Sequence, residues 1–298
     1  MTALRATAPG KTNLCLYLGP TRADGRHELV SVMQSLTLVD DLTMTPRTDG
    51  GATDEVVCPG ITGDNLAAAA LRAFRAATGW DGPPQRLEIR KRVPVAAGMG
   101  GGSGDAAAAL RLAHAASGRG DDALLHALAA ELGADVPAQV VPGRVLATGA
   151  GETLERIPAS GERPDYGVLV LPSHVALSTA DVFREADRMG LARTADDLTA
   201  RLADVREFAG DLPDALIHND LEAAARSLVP EIGRTLLEAM AAGADRTLVS
   251  GSGPTVIGLF ADRDAARDAA ARLAHRDPPA RYAEPVADGA GAPVAADA

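Results

Sequence analysis

Apolar positions recur along this chain with two periods, which divide it into alternating strands and helices. Residues 4–8 read as a strand, Pro9-Gly10 as a break, and Asn13, Leu14, Leu16 and Leu18 as a second strand. A turn around Asp24-Gly25 leads past His27 and Glu28 into the apolar-rich VSVMQSLTLVDDLTM. A short strand at 55–58 precedes a helix over 66–78, with Asp64 or Asn65 as its cap and Gly79 as its stop. Leu87, Ile89 and Val93 mark another strand that turns at Pro94, and an alanine-rich helix follows to Ser117. The next helix starts at Asp121 or Asp122 and ends at Gly133, and a strand around Leu146 runs into the small-residue turn before Glu152.

The second half begins with an apolar strand at 166–172. Helices are expected at 179–188, 200–208, 221–228 and 232–241. Residues 247–260 show strand patterning on both sides of a glycine-serine turn, and a helix at 262–275 and a strand near 281–286 complete an α/β layer. The final ADGAGAPVAADA is low in complexity and is expected to be disordered.

Composition narrows what such a chain can do. At 298 residues and 46% hydrophobic, it can fill one large core or two domains. A formal charge of -11, with no basic run interleaved with aromatics, argues against nucleic acid or an anionic membrane as partner and favours a small ligand in a local positive pocket. Cys15 and Cys58 supply no disulfide framework, and without CxxC or HExxH a structural zinc is not expected. The N-terminus has no apolar run long enough for a signal segment or membrane span, so the default expectation is a cytoplasmic protein. Of the 29 basic residues only Lys11 and Lys91 are lysine. A lysine kept among arginines marks a place for a compact ammonium, or it is chance.

Chemistry concentrates in PVAAGMGGGSGDAAA at 94–108. Gly98, Gly100, Gly101, Gly102 and Gly104 surround Ser103 just ahead of the alanine-rich helix. Glycines without Cβ let backbone N–H groups close around an anion, and the helix start adds unpaired donors and the positive end of the dipole. The pattern points to a phosphate, against the alternative of a flexible linker. It is not a dinucleotide fingerprint, because Ser103 stands where a glycine is required. It is not a Walker loop either, because Arg5 stands five residues before Gly10. Elsewhere the residues alone leave alternatives open. Asn65 serves as a helix cap, Asp135 as a turn residue before Pro137, His27 as a loop histidine and the helical Phe183 as core.

Three segments taken together carry a resemblance. APGKTN at 8–13, the glycine loop at 94–108 and VSGSGPTV at 249–256 resemble, in order and spacing, the three motifs of the GHMP small-molecule kinases. Within that superfamily, DGRHEL at 24–29 and LGADVP at 132–137 resemble the members acting on a cytidine diphosphate-linked methylerythritol in the non-mevalonate isoprenoid route. The resemblance implies an α+β, two-domain fold: an N-terminal domain like domain 2 of ribosomal protein S5 over 1–155, a ferredoxin-like C-terminal domain over 156–286, and a cleft between them. It implies phosphoryl transfer from ATP, with Mg²⁺, to the substrate's 2-hydroxyl.

Residue by residue, it makes Asp135 the general base and Lys11 the active-site cation. It places Pro94, Ala97, Gly98, Met99, Gly100, Gly101, Gly102 and Ser103 around ATP, with Ser103 a contact to Mg-ATP and no dedicated metal cage, and brings Asn65 and Lys91 near the base. Asn13, Arg26, His27, Phe183, Gly251 and Ser252 are assigned to the substrate. Arg26 stands where the pattern has a tyrosine, and a guanidinium plane can also stack on a base. Gly10 and Gly104 replace alanine and serine or alanine, a loosening of about 0.5–1 kcal/mol each. The expected state is a monomer or weak homodimer. Competing readings are a homoserine- or mevalonate-type kinase of the same superfamily, or a non-catalytic nucleotide-binding protein on the same fold.

Overall fold

The structure is a computed structural model that describes residues 3–61, 63–95, 97–157, 166–208 and 212–296. Two long antiparallel strands, β1 (Leu4–Thr21) and β2 (His27–Pro46), form its spine. The first half continues with β3 (Glu55–Val57), α1 (Leu66–Thr78), β4 (Gln85–Arg90), α2 (Gly101–Ser117), α3 (Asp122–Leu132), α4 (Val136–Val140), β5 (Arg144–Thr148) and β6 (Thr153–Arg156). The second half holds β7 (Gly167–Leu171), α5 (Thr179–Met189), α6 (Ala195–Glu207), β8 (His218–Asn219), α7 (Glu222–Leu228), α8 (Glu231–Ala241), β9 (Arg246–Val249), β10 (Val256–Phe260), α9 (Arg263–Arg272), β11 (Arg281–Ala283) and β12 (Val294–Ala295).

One sheet runs β12-β1-β2-β4-β3, with β5 also on β2, β6 on β5, and β8 parallel to β1. Leu42, Leu87 and Ile89 from its strands pack against Phe74 of α1 and Leu110 and Leu112 of α2. Helix α2 is buried all round from Gly104 to Ala113, and its run of alanines keeps it thin enough to pass through the core. The second sheet runs β11-β7-β10-β9 with every pair antiparallel. That order, with helices between β7 and β9 and between β10 and β11, is the ferredoxin-like arrangement. A shared core of Leu14, Val32, Leu36 and Val93 against Val168, Val170 and Ile257 joins the two sheets.

Several local expectations change. The break at Pro9-Gly10 is a register shift within one continuous strand: proline has no N–H for the ladder, so it sits at an irregularity and β1 carries on. Helix α6 begins five residues before the expected position, at Ala195, because the Thr194 hydroxyl accepts from the Asp197 N–H and caps it.

The tail expected to be disordered is placed along β1, with Leu4 opposite Ala295 and Arg5 opposite Val294. Its anchor is the buried Arg111 of α2, which donates to the carbonyls of Thr7 (2.9 Å) and Gly291. Burial alone lowers that guanidinium to about 10. Low complexity did not preclude order, because an internal arginine offers the tail's carbonyls donors that water would otherwise supply.

Candidate active site

The three motifs meet in a cleft of about 1010 Å³ between the two halves. At its centre, Lys11 extends from the irregular part of β1 where its own N–H donates to the Met99 carbonyl at 2.8 Å. Its Nζ donates to Asn13 Oδ1 at 2.9 Å and lies 3.3 Å from Asp135 Oδ2. Asn13 is held in turn: its Nδ2 donates to Ser31 Oγ at 2.7 Å, and that hydroxyl donates to the Cys15 carbonyl at 2.7 Å. The ammonium is thus buried and fixed, while Asp135 at the start of α4 is 41% exposed and reachable from the cleft.

The glycine loop packs against this lysine. A Cβ on Gly100 would stand 3.0 Å from Lys11 Cγ, and Gly100 takes φ +65° as the cap of α2. Gly98 is more constrained: at φ +73°, its Cβ would fall 2.2 Å from the Ser250 carbonyl oxygen. The VSGSGPTV turn therefore closes directly onto the loop, and the Ser250 hydroxyl donates to the Gly98 carbonyl at 3.2 Å. Asn219 fixes this turn by donating to the carbonyls of Val249 and Gly251 at 2.8 and 2.7 Å.

Gly101 and Gly102 belong to the first turn of α2 rather than preceding it, and no side chain caps that end. The N–H groups of such an uncapped first turn can receive an anion. Gly10 and Gly104 do not simply loosen the backbone: Cβ atoms would lie 3.1 Å from Val93 Cγ1 and 3.0 Å from the Pro9 carbonyl oxygen, so both allow close packing.

Asn65, Pro94, Ala97, Ser103, Gly251 and Ser252 line the same cleft. Asn65 also caps α1, accepting from the Ala67 N–H at 2.8 Å. Met99 is the exception: its side chain is fully buried in the core between the sheets. Lys91 reaches the cleft but not as a free cation, because its Nζ lies 2.5 Å from Asp40 Oδ2 and 2.7 Å from Asp105 Oδ2. Burial pushes Lys91 down, and the two carboxylates more than offset this and leave it raised. Burial is also the main cause that lifts Asp105 to about 7, with Lys91 opposing and Asp40 adding to the rise. Asp105 Oδ1 has no hydrogen-bond partner among the described residues. Neither aspartate stood out in the sequence, although Asp105 lies two residues beyond Ser103 inside the motif.

At the far end of the cleft, His27 is buried with its Nε2 2.8 Å from Asp187 Oδ1 and 3.2 Å from Thr21 Oγ1. The Phe183 ring lies 5.5 Å from the His27 ring, half-buried rather than lost in the core. Arg26 borders the cleft with its guanidinium held on Asp24, at 3.0 Å from Nε and 2.9 Å from a terminal nitrogen. Ser252 Oγ is 2.9 Å from Thr179 Oγ1, which ties the third motif to α5.

A strand–loop–helix that presents bare N–H groups to a cleft, with a fixed lysine beside an accessible carboxylate, is the equipment of a small-molecule kinase. The chain belongs to the GHMP kinases: the GHMP kinases N terminal domain model matches residues 65–143, and the GHMP kinases C terminal model residues 198–278. Curated relatives are more particular. The 4-diphosphocytidyl-2-C-methyl-D-erythritol kinases of Corynebacterium efficiens and Nocardioides sp. are 40% and 42% identical, over 91% and 89% of this chain and 89% and 91% of theirs. A crystal structure of 4-(cytidine 5'-diphospho)-2C-methyl-D-erythritol kinase superposes with TM-score 0.77 at 30% identity, covering 96% of this chain and 100% of that one. A homoserine kinase from Cytophaga hutchinsonii shares the fold, with TM-score 0.69 at 14% identity. No helix among the described residues is long and apolar enough to cross a membrane.

Proposed function

We infer that this chain transfers the γ-phosphoryl group of ATP to the 2-hydroxyl of 4-diphosphocytidyl-2-C-methyl-D-erythritol, releasing ADP. The observation that carries the reading is the Lys11–Asp135 contact of 3.3 Å at the mouth of a glycine loop whose helix terminus is uncapped. Transfer to an alcohol needs the hydroxyl aligned with the γ-phosphate, an acceptor for its proton, and cations against the charge on the transferring oxygens. Asp135 accepts the proton. Lys11 lies beside the carboxylate and stabilises negative charge as it develops, held in place by the Asn13–Ser31 chain. The N–H groups at Gly101, Gly102 and Ser103 receive the nucleotide phosphates.

Among the described residues no group of three His, Cys, Asp or Glu forms a metal cage, and the carboxylates nearest the loop are engaged by Lys91. The donor set therefore fits an Mg²⁺ carried by the nucleotide's phosphates, with the Ser103 hydroxyl as protein contact. Such a cation would neutralise phosphate charge. At the other end, Phe183, His27 and Arg26 surround the cytosine, Gly251 and Ser252 close over the substrate, and Asn65 lies at the base of ATP.

The test is ADP release by purified protein with ATP and Mg²⁺, comparing the cytidylated alcohol, uncapped methylerythritol phosphate, homoserine and mevalonate, with ³¹P NMR locating the new phosphate. Activity confined to the first compound, with phosphate on its 2-oxygen, is expected. Preference for any other alcohol overturns the substrate assignment.

A further inference from the structure

The contact between α5 and the start of β2 has no part in phosphoryl transfer, yet it decides what the buried His27 can offer a ligand. Asp187 and Phe183 lie four residues apart on one face of α5, so the carboxylate and the aromatic ring reach the same imidazole. Asp187 Oδ1 is 2.8 Å from Nε2, and an ionised carboxylate can only accept, so Nε2 carries the proton. In the neutral ring Nδ1 is then a bare acceptor, and His27 lines the cleft. Thr21 is the competing partner: its hydroxyl, 3.2 Å from the same Nε2, can accept from an N–H or donate to a bare nitrogen. Without the carboxylate, threonine can donate to Nε2, and the proton then resides on Nδ1.

We propose that Asp187 is a positioning residue that sets the His27 tautomer, and that it thereby makes the pocket select a base edge bearing an amine over one bearing a carbonyl. This rests on the cytidine reading above. Cytosine presents an exocyclic amine, which donates to a bare Nδ1. Uracil presents a carbonyl oxygen at the same position, and two lone pairs then face each other. A buried polar group left unpaired in this way discriminates strongly. Asp187 is half exposed, so its removal leaves no buried cavity.

The test compares wild type with Asp187→Ala and, as a control, Thr21→Val, using cytidine- and uridine-diphosphate-linked methylerythritol. For Asp187→Ala the expected result is a fall of about tenfold in the cytidine-to-uridine ratio of kcat/KM, appearing in the KM for the cytidine compound while kcat and the KM for ATP stay within about threefold. Thr21→Val keeps the wild-type ratio. In ¹⁵N spectra of the ligand-free protein, His27 shows a protonated Nε2 in wild type and shifts toward a protonated Nδ1 in Asp187→Ala. An unchanged ratio in Asp187→Ala, or a wild-type ring protonated only on Nδ1, overturns the proposal. If the wild-type protein turns over neither compound, the substrate reading fails, and the ¹⁵N spectra still decide whether Asp187 sets the tautomer.

Discussion

Asp105→Asn removes one of two carboxylates that share a single buried ammonium. Its side chain is 5% exposed, one oxygen lies on Lys91 and the other has no partner among the described residues. Moving a carboxyl from an ordinary 3.8 to about 7 makes ionising it in place cost about 4 kcal/mol. The folded chain holds this proton more tightly than the unfolded chain. The group's contribution to stability is therefore full below pH 3.8 and is lost as pH rises through about 7. Between pH 5 and pH 8, where the unfolded carboxyl is already ionised and the folded one is titrating, the loss is about 2–3 kcal/mol. Asparagine keeps the shape without the charge, and Lys91 keeps Asp40 at 2.5 Å. Urea unfolding at pH 5, 6, 7 and 8 should show wild type losing that amount relative to Asp105→Asn across the series. Parallel pH curves for the two proteins would refute the buried-charge argument.

Three further substitutions probe the cleft. Asp135→Asn should bind ATP and alcohol with little change in KM while kcat falls about 10²–10⁴-fold, and a normal kcat in steady-state assays would remove Asp135 as the base. Lys11→Arg should lower kcat about 10²-fold, since the longer fork cannot occupy the space against Gly100. Overpacking costs it about 1–3 kcal/mol in urea unfolding, and a kcat within threefold of wild type would contradict the fit. Gly98→Ala forces a left-handed alanine against the Ser250 carbonyl, so unfolding should show a loss of at least about 1–2 kcal/mol together with a raised KM for ATP.

Features written into short stretches of sequence were legible: the Asn65 and Asp121 caps and the helix after the glycines are local events with local residues, whereas the strand expected to run through Val93 to Pro94 ends at Arg90. The motif resemblance brought Lys11, Asp135 and the loop into one cleft, and the structure places them together. What stayed hidden depends on partners far away in sequence. Lys91 reads as a spare cation until β2 brings Asp40 beside it, 51 residues distant. Asp187 is an unremarkable helical acid until its helix meets His27 across 160 residues. Arg26 is nearer to its partner: Asp24, two residues away, holds its guanidinium. The tail's order follows from Arg111, an arginine in the middle of an alanine helix that no short window connects to residue 291.

The pairing of β1 has a consequence for how the chain is made. One flank of this strand is covered by β2, its neighbour in sequence, but the other is covered by β8 at 218–219 and β12 at 294–295. During synthesis, the segments of this strand at Leu4–Arg5 and Cys15–Leu16 therefore emerge with backbone donors and acceptors open on that flank and stay so until most of the polypeptide has been translated, whereas the Lys11 N–H and the Thr7 carbonyl between them find Met99 and Arg111 within the first half. Such an edge is a template for pairing with other nascent chains. A product that stops near residue 155 would leave those two stretches of edge unpaired, so the flank closes only once β8 and β12 have been made.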